Sequence, residues 1–283
     1  MPDETLLPNN AAEFIKHKLA HLECLAWQPV VREGDGDLKA SKFAGKPWLS
    51  ASESYPTCPN CENPMEFILQ LNLEQLPEAV NQRFGKGLFQ LFYCFQDECE
   101  VDYEGWAAFS PVQIARVIQP EGEPAEFELP VIEGECLSKQ VEGPLPAKLI
   151  VEWEQIEDYP DWRDVESYGV TLTEGEHQQL ITLLPSSIKR TYWDWRSAVA
   201  VNAFMKEAGL HAPSRDKLAG YPHWQQGTED CPNCPICDAR MNQLIAQLES
   251  NDNIPVYWGD VGSGYIVQCP KHHEQVAFMW QCG

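Results

Sequence analysis

The chain has 283 residues, 43% of them hydrophobic, with 10 Trp, 11 Phe and 9 Tyr, which fits a packed globular protein and excludes a disordered one. Against 20 Lys and Arg stand 43 Asp and Glu, a formal charge of −23 that repels phosphate backbones and anionic lipid. Direct nucleic-acid and membrane binding are therefore not expected, whereas a basic protein partner would be attracted.

Met1-Pro2-Asp3-Glu4 is acidic and leads into no apolar signal core, and no run approaches the roughly 20 apolar residues of a membrane span. A cytoplasmic chain is expected. Asn10 is placed to cap a helix over 11–27, with Phe14, Ile15, Leu19, Leu22 and Leu25 on one face. His17 and His21 sit on it four apart and read as exposed polar residues rather than a metal pair. Residues 32–42 form a loop whose acidic spacing resembles a calcium loop but lacks its closing glutamate. Strands follow at 65–71, 88–95 and 112–118, with a short helix over 74–84 between the first two. The run at 88–93 is apolar enough to be buried on both faces. Residues 119–147, rich in Pro, Gly and Glu, read as a surface connection. A strand opens the second half at 148–157, Thr173 and Glu176 form a capping-box pattern for a helix ending before Pro185, and a second helix spans 194–208. Strands at 265–268 and 276–280 close the chain.

One pattern occurs twice: a Gly-Pro-Trp turn, a Cys-x2-Cys pair, an apolar segment and a closing ligand pair. Gly45 precedes Cys58 by 13 residues and Gly220 precedes Cys234 by 14; Cys61 and Cys237 each lie 4 before a methionine; Cys61 to Cys94 is 33 and Cys237 to Cys269 is 32. Agreement of several offsets in one order points to two copies of one unit. Residues 1–41 are then an N-terminal helix and loop, 42–118 the first knuckle repeat, and 119–147 an acidic connection. The second half is 148–283, with its knuckle repeat at 217–283. Elements do not alternate as β-α-β units. The expected class is α+β, with duplicated, mostly antiparallel β-rich repeats each stapled by a zinc knuckle, and peripheral helices.

A Cys-x2-Cys turn converges two thiolates on one ion, and zinc takes four such ligands in a tetrahedron. Cys58, Cys61, Cys94 and Cys99 make a complete set. The apolar, strand-like run after Cys61 argues against a redox motif, which opens a helix. In the second copy Cys231, Cys234 and Cys237 give overlapping pairs. Spacing to Met241 favours Cys234 with Cys237, although Cys231-Pro232-Asn233-Cys234 repeats the letters of the first knuckle. Cys269 is the third ligand and His272 the fourth, with His273 as alternative. Cys24, Cys136 and Cys282 belong to neither set and read as buried or incidental thiols. Two structural zinc ions are expected, each with four protein ligands and no open position, so scaffolding rather than catalysis.

No nucleophile elbow, phosphate loop or His-Glu-x2-His motif occurs. Asp260-Val261-Gly262-Ser263-Gly264 lacks the third glycine and the helix of a dinucleotide fingerprint and reads as a turn into the strand carrying Tyr265. An enzyme would need an aromatic groove with an acid such as Asp260.

The run 218–226, the Cys-x2-Cys pair, Trp258-Gly259-Asp260-x-Gly262-x-Gly264-Tyr265 and Phe278-x-Trp280-Gln281 together resemble the bacterial YwqG family. The two cysteine units, followed by Leu69-Gln70 and Ala246-Gln247, also resemble the eukaryotic programmed-cell-death-2 proteins. The resemblance runs from about Lys42 to Trp280. It implies a duplicated β-rich fold and, from the eukaryotic relatives, a chaperone that captures a basic ribosomal protein. Association of some bacterial members with toxin loci implies an immunity role as the alternative. It carries over no catalytic residue. The expectation is a non-enzymatic escort of a basic client protein, ribosomal protein or toxin.

Overall fold

The computed structural model describes residues 10–132, 138–141, 143–191, 194, 197–210, 214–226 and 231–283; Cys136 lies outside them. In chain order the elements are α1 (Ala11–Leu19), β1 (Cys24–Glu33), β2 (Lys42–Phe43), β3 (Glu66–Asn72), β4 (Leu88–Tyr93), α2 (Asp97–Asp102), β5 (Gln113–Ile118) and β6 (Lys148–Asp158). A 3-10 turn (Val165–Tyr168) follows, then α3 (Glu174–Leu183), α4 (Ser186–Thr191), α5 (Ala198–Glu207), β7 (Lys217–Ala219), β8 (Gln243–Glu249), β9 (Ser263–Gln268) and β10 (Val276–Gln281).

The chain divides into two compact units. The smaller comprises Met1–Ala26, Gln155–Ser214 and Gly220–His223, and the larger Trp27–Glu154, Arg215–Ala219 and Trp224–Gly283. The smaller is helical. Asn10 caps α1 by accepting the Glu13 N–H at 2.9 Å, and Thr173 with Glu176 closes the expected capping box on α3. Phe14, Ile15 and Leu19 of α1 share a core with Leu180 of α3 and Val201 and Met205 of α5.

Two expected helices are corrected. The helix over 11–27 stops at Leu19, and after a turn the chain becomes β1. Pro29 supplies no N–H and drives Gln28 out of the helical region, so the apolar spacing of Leu22 and Leu25 could not be used for a helix. Residues 74–84 form successive turns, not a helix. Pro77 again interrupts, and Leu76, Val80 and Phe84 reach the core through the bonds Val80 N–H to Pro77 O (2.8 Å) and Arg83 N–H to Val80 O (3.0 Å).

The larger unit is built on one sheet of ten strands in the order β10-β9-β8-β7-β1-β6-β2-β3-β4-β5. The pairs β2–β3, β3–β4, β4–β5, β7–β8, β8–β9 and β9–β10 are antiparallel. The end strands β5 and β10 approach each other, so the sheet nearly closes into a barrel. Trp280 of β10 helps to close it, its backbone N–H donating to Trp106 O at 3.1 Å and its indole N–H to the Tyr93 hydroxyl at 2.9 Å. The class is thus antiparallel and β-rich with few helices.

Strand alternation sorts side chains to two sides. Phe89, Leu91 and Tyr93 of β4, Ile266 of β9, and Val276, Phe278 and Trp280 of β10 enter the central cluster. Phe92 instead joins a smaller cluster with Cys58, Cys94 and Cys99, while Tyr265, Val267, Ala277 and Met279 join one with Cys234 and Cys269. Both faces of β4, β9 and β10 are covered, as their continuous apolar character requires. Two bulges occupy matching places, between Phe67 and Leu69 in β3 and between Leu244 and Ala246 in β8.

The glycines of the twice-used turn allow a close approach. Gly45 and Gly220 have φ of 79° and 76°. A Cβ on either would collide with a carboxylate, that of Asp35 or Asp158. Asp35 Oδ2 accepts the Lys46 N–H at 2.9 Å and Asp158 Oδ2 the Tyr221 N–H at 2.9 Å.

Asp216, just before β7, gives a pH dependence. Burial, and then the charge of Asp252, push its carboxyl from 3.8 to about 7, against donation from the N–H groups of Glu249 and Asn253. A folded-state value above the unfolded one means that its stabilising contribution is complete below about pH 4 and is lost as pH rises to about 7. Asp216→Asn is expected to flatten that decline in urea melts taken across this window; an unchanged pH profile contradicts it.

Candidate metal centres

Each knuckle is a hydrogen-bonded turn, and the two are built alike. In the first, the N–H of Cys58 donates to Asn63 O (2.8 Å), that of Glu62 to Cys58 O (2.9 Å) and that of Met65 to Pro56 O (3.0 Å). In the second, Cys234 donates to Ala239 O (2.8 Å), Asp238 to Cys234 O (2.9 Å) and Met241 to Pro232 O (2.8 Å). Glu62 and Asp238 take left-handed φ of 60° and 56°. Cys58 therefore corresponds to Cys234 by backbone geometry. The remaining ligands arrive on strand ends. Cys94 follows the last residue of β4 and Cys269 the last of β9, while Cys99 lies in α2 and His272 in the turn before β10.

The structure brings together Cys58, Cys61, Cys94 and Cys99, and separately Cys234, Cys237, Cys269 and His272, with the ligand atoms of each set within 4.8 Å of one another. Cys58 and Cys99 Sγ are 3.8 Å apart, and Cys61 and Cys94 Sγ 3.7 Å. Cys237 to Cys269 Sγ is 3.7 Å, and His272 Nδ1 lies 3.7 Å from both Cys234 and Cys269 Sγ. A tetrahedral ion with Zn–S bonds of about 2.3 Å sets its sulfurs about 3.8 Å apart, so the spacing fits zinc. Soft thiolates with one imidazole also suit that ion. Both sets could hold zinc, which would there join segments of chain.

Backbone N–H groups prepare the thiolates. Burial raises the Cys58 thiol, but the N–H groups of Cys61 and Asn60 outweigh it and leave it lowered. Cys269 is lowered the same way, against burial, by the N–H groups of Lys271 and His272, each 3.4 Å from Sγ. Cys99 is pushed up to about 11, first by burial. Several thiolates this close repel one another, and a dication between them removes the conflict.

The alternatives left open by spacing fall outside the sets. Cys231 donates its thiol to Met241 O at 2.7 Å, and burial raises it. His273 packs by its Cβ against Gly85, and its carbonyl accepts from Gln268. His17 lies on α1 and His21 beyond its end, both exposed. Residues not singled out from sequence complete the first centre. Asn60 Nδ2 donates to Cys99 Sγ at 3.2 Å, and the Tyr103 hydroxyl donates to Asn60 Oδ1 at 3.0 Å. Such outer partners orient the ligands. The position of Asn60 inside the Cys-x2-Cys turn was the available signal; Tyr103 had none.

Asp260 is exposed on a turn, while Trp258 before β9 and Tyr265 within it are buried in the core. Gly262 and Gly264 serve packing: a Cβ on Gly262 would strike the backbone of Gln281, and one on Gly264 would lie 2.7 Å from the Phe278 ring. The smaller unit has a cavity of about 460 Å³ lined by Trp162, Arg163, Val165, Glu166, His177 and Val201 among others. Arg163 is held there by both carboxylate oxygens of Asp161, at 2.9 and 2.6 Å. Among the described residues no helix is long and apolar enough to cross a membrane.

A family model described as a domain of unknown function, DUF1963, matches residues 41–282. A search of the curated proteins finds no match.

Proposed function

The chain belongs to the DUF1963 family, and we propose that it is a non-enzymatic, YwqG-like protein-binding module, held by two zinc ions, that escorts a basic client protein. The observation that carries the proposal is the charge: 43 acidic against 20 basic residues on a chain whose two ligand sets are complete without substrate or water. A field of that sign accelerates encounter with a cationic partner and shields it from others. The zinc ions fix the knuckles, and the protein does its work by binding.

The reading includes a duplication. The paired bulges, the matching knuckle bonds and the two Asp–Gly approaches support β1–β5 and β6–β10 as two copies of one unit. On this view the sheet order is symmetric about its middle, with β1 lying between β7 and β6, and β6 between β1 and β2. Each copy has given its first strand to the other, which ties the copies into one barrel.

The test is capture from the native host's lysate by the tagged, metal-loaded protein at low and high salt. One basic protein is expected in stoichiometric amount at low salt and lost at high salt, since screening removes the attraction. Recovery of no basic protein, or of one indifferent to salt, contradicts the escort. A ribosomal protein would identify a chaperone and a toxin an immunity protein. The cavity in the smaller unit favours a small-molecule ligand as the second reading, and its size is within the range of such sites.

A further inference from the structure

We propose that residues 97–110 form the docking surface for the client, and that they take a lysine- and arginine-rich segment carrying apolar anchor residues. The proposal rests on the basic-client reading and adds the place and the chemistry of the contact.

Among the described residues thirteen large hydrophobic side chains are exposed, and four of them fall within nine positions: Val101 (67%), Tyr103 (40%), Trp106 (41%) and Phe109 (50%). Aromatic side chains are the usual anchors of protein interfaces, and their clustering outside a core is uncommon. Phe109 also holds a left-handed φ of 64°, which costs a non-glycine residue about 1 kcal/mol or more.

The segment is held rigidly. Cys99 belongs to the first ligand set, and the Tyr103–Asn60–Cys99 chain of hydrogen bonds ties the ring to that centre. Gln113 donates its side-chain amide to Gly105 O (3.2 Å) and Ala107 O (2.7 Å), and Ser110 Oγ donates to Tyr103 O at 2.7 Å. Ala108 packs against the apolar cluster that includes Tyr265, Ala277 and Met279, so the segment is also anchored on the sheet. With the backbone fixed from several sides, the exposed rings are ordered before a partner arrives, and binding loses less entropy.

Charge chooses the occupant. Asp97, Glu98, Asp102 and Glu104 are exposed, Glu100 is partly buried beside Tyr93, and no Lys, Arg or His occurs from 87 to 115. This surface repels nucleic acid and a second copy of the same acidic chain. It suits a cationic segment whose apolar residues cover the rings while its charges meet the carboxylates.

The experiment measures anisotropy of two labelled peptides, one repeating Lys-Lys-Leu and one repeating Lys-Lys-Ser, with the full metal-loaded chain. The leucine peptide is expected to bind at least about tenfold more tightly. The double variant Val101→Ser, Phe109→Ser should abolish that difference, and Val199→Ser, an exposed position on α5, should keep it. Phe109→Gly removes one anchor and relieves the left-handed strain, so weaker leucine-peptide binding by this variant at an undiminished Tm cannot be attributed to unfolding. Equal binding of the two peptides by the wild type overturns the anchoring role. A double variant that binds the leucine peptide as the wild type does overturns the location and leaves the basic-client reading intact. Failure of both peptides to bind removes both.

Discussion

Cys61→Ser and Cys237→Ser are each expected to lower stability by at least about 3 kcal/mol, a fall in Tm of roughly 10 °C for a chain of this size. Both thiols are only half-buried, so little packing is lost with them. On the proposed reading the loss therefore reports the metal they would help to hold. Removing one of four ligands leaves three converging thiolates, or two with an imidazole, whose repulsion a weakly bound ion no longer offsets. Cys231→Ser is the control. The serine can still donate to Met241 O, which the thiol reaches at 2.7 Å, and a change below about 1 kcal/mol is expected. Thermal melts of the three variants decide the matter. Should Cys231→Ser cost as much as Cys237→Ser, the second ligand set is wrong.

The second large effect concerns Trp258, 1% exposed among Tyr93, Phe95 and Phe278, whose ring centroids lie 5.5, 5.8 and 4.9 Å away. Trp258→Ala is expected to cost about 3–5 kcal/mol through lost burial and the cavity left behind. Trp258→Phe should behave differently. The indole Nε1 is buried with no hydrogen-bond partner among the described residues, and such a group costs about 1–3 kcal/mol. Replacing it by phenylalanine removes that penalty while keeping most ring contacts, so the net loss should stay below about 1.5 kcal/mol. Denaturant titrations measure both. An equal loss for the two variants would mean that the indole N–H has found a partner.

Much of this was legible in the chain, for reasons that can be named. The strands β4 and β10 are continuous apolar runs because both faces are covered, and that pattern survives in any sequence window. The two Cys/His groups were legible because a knuckle fixes the offsets of its cysteines. The failures came where local signals agreed with the wrong element. Leu76, Val80 and Phe84 have helical spacing, yet Pro77 leaves a run of turns to deliver them to the same core. Leu22 and Leu25 continue the period of α1 beyond its end, although Pro29 stands against a helix there. Closure of the sheet had no local signal at all, since it depends on β5 meeting β10 across most of the chain. Nor did the exposed rings at 101–109 announce themselves: in sequence an aromatic residue reads as core.

The measurement that tests the central claim most directly is metal analysis of the protein purified without added metal, with X-ray absorption at the zinc edge. The account predicts two zinc ions per chain, and a first shell averaged from seven thiolates and one imidazole. Cys58→Ala should retain one ion, with a shell of three sulfurs and one nitrogen. A protein that is fully folded with no metal, or that binds a single ion in a shell of oxygen, would contradict it.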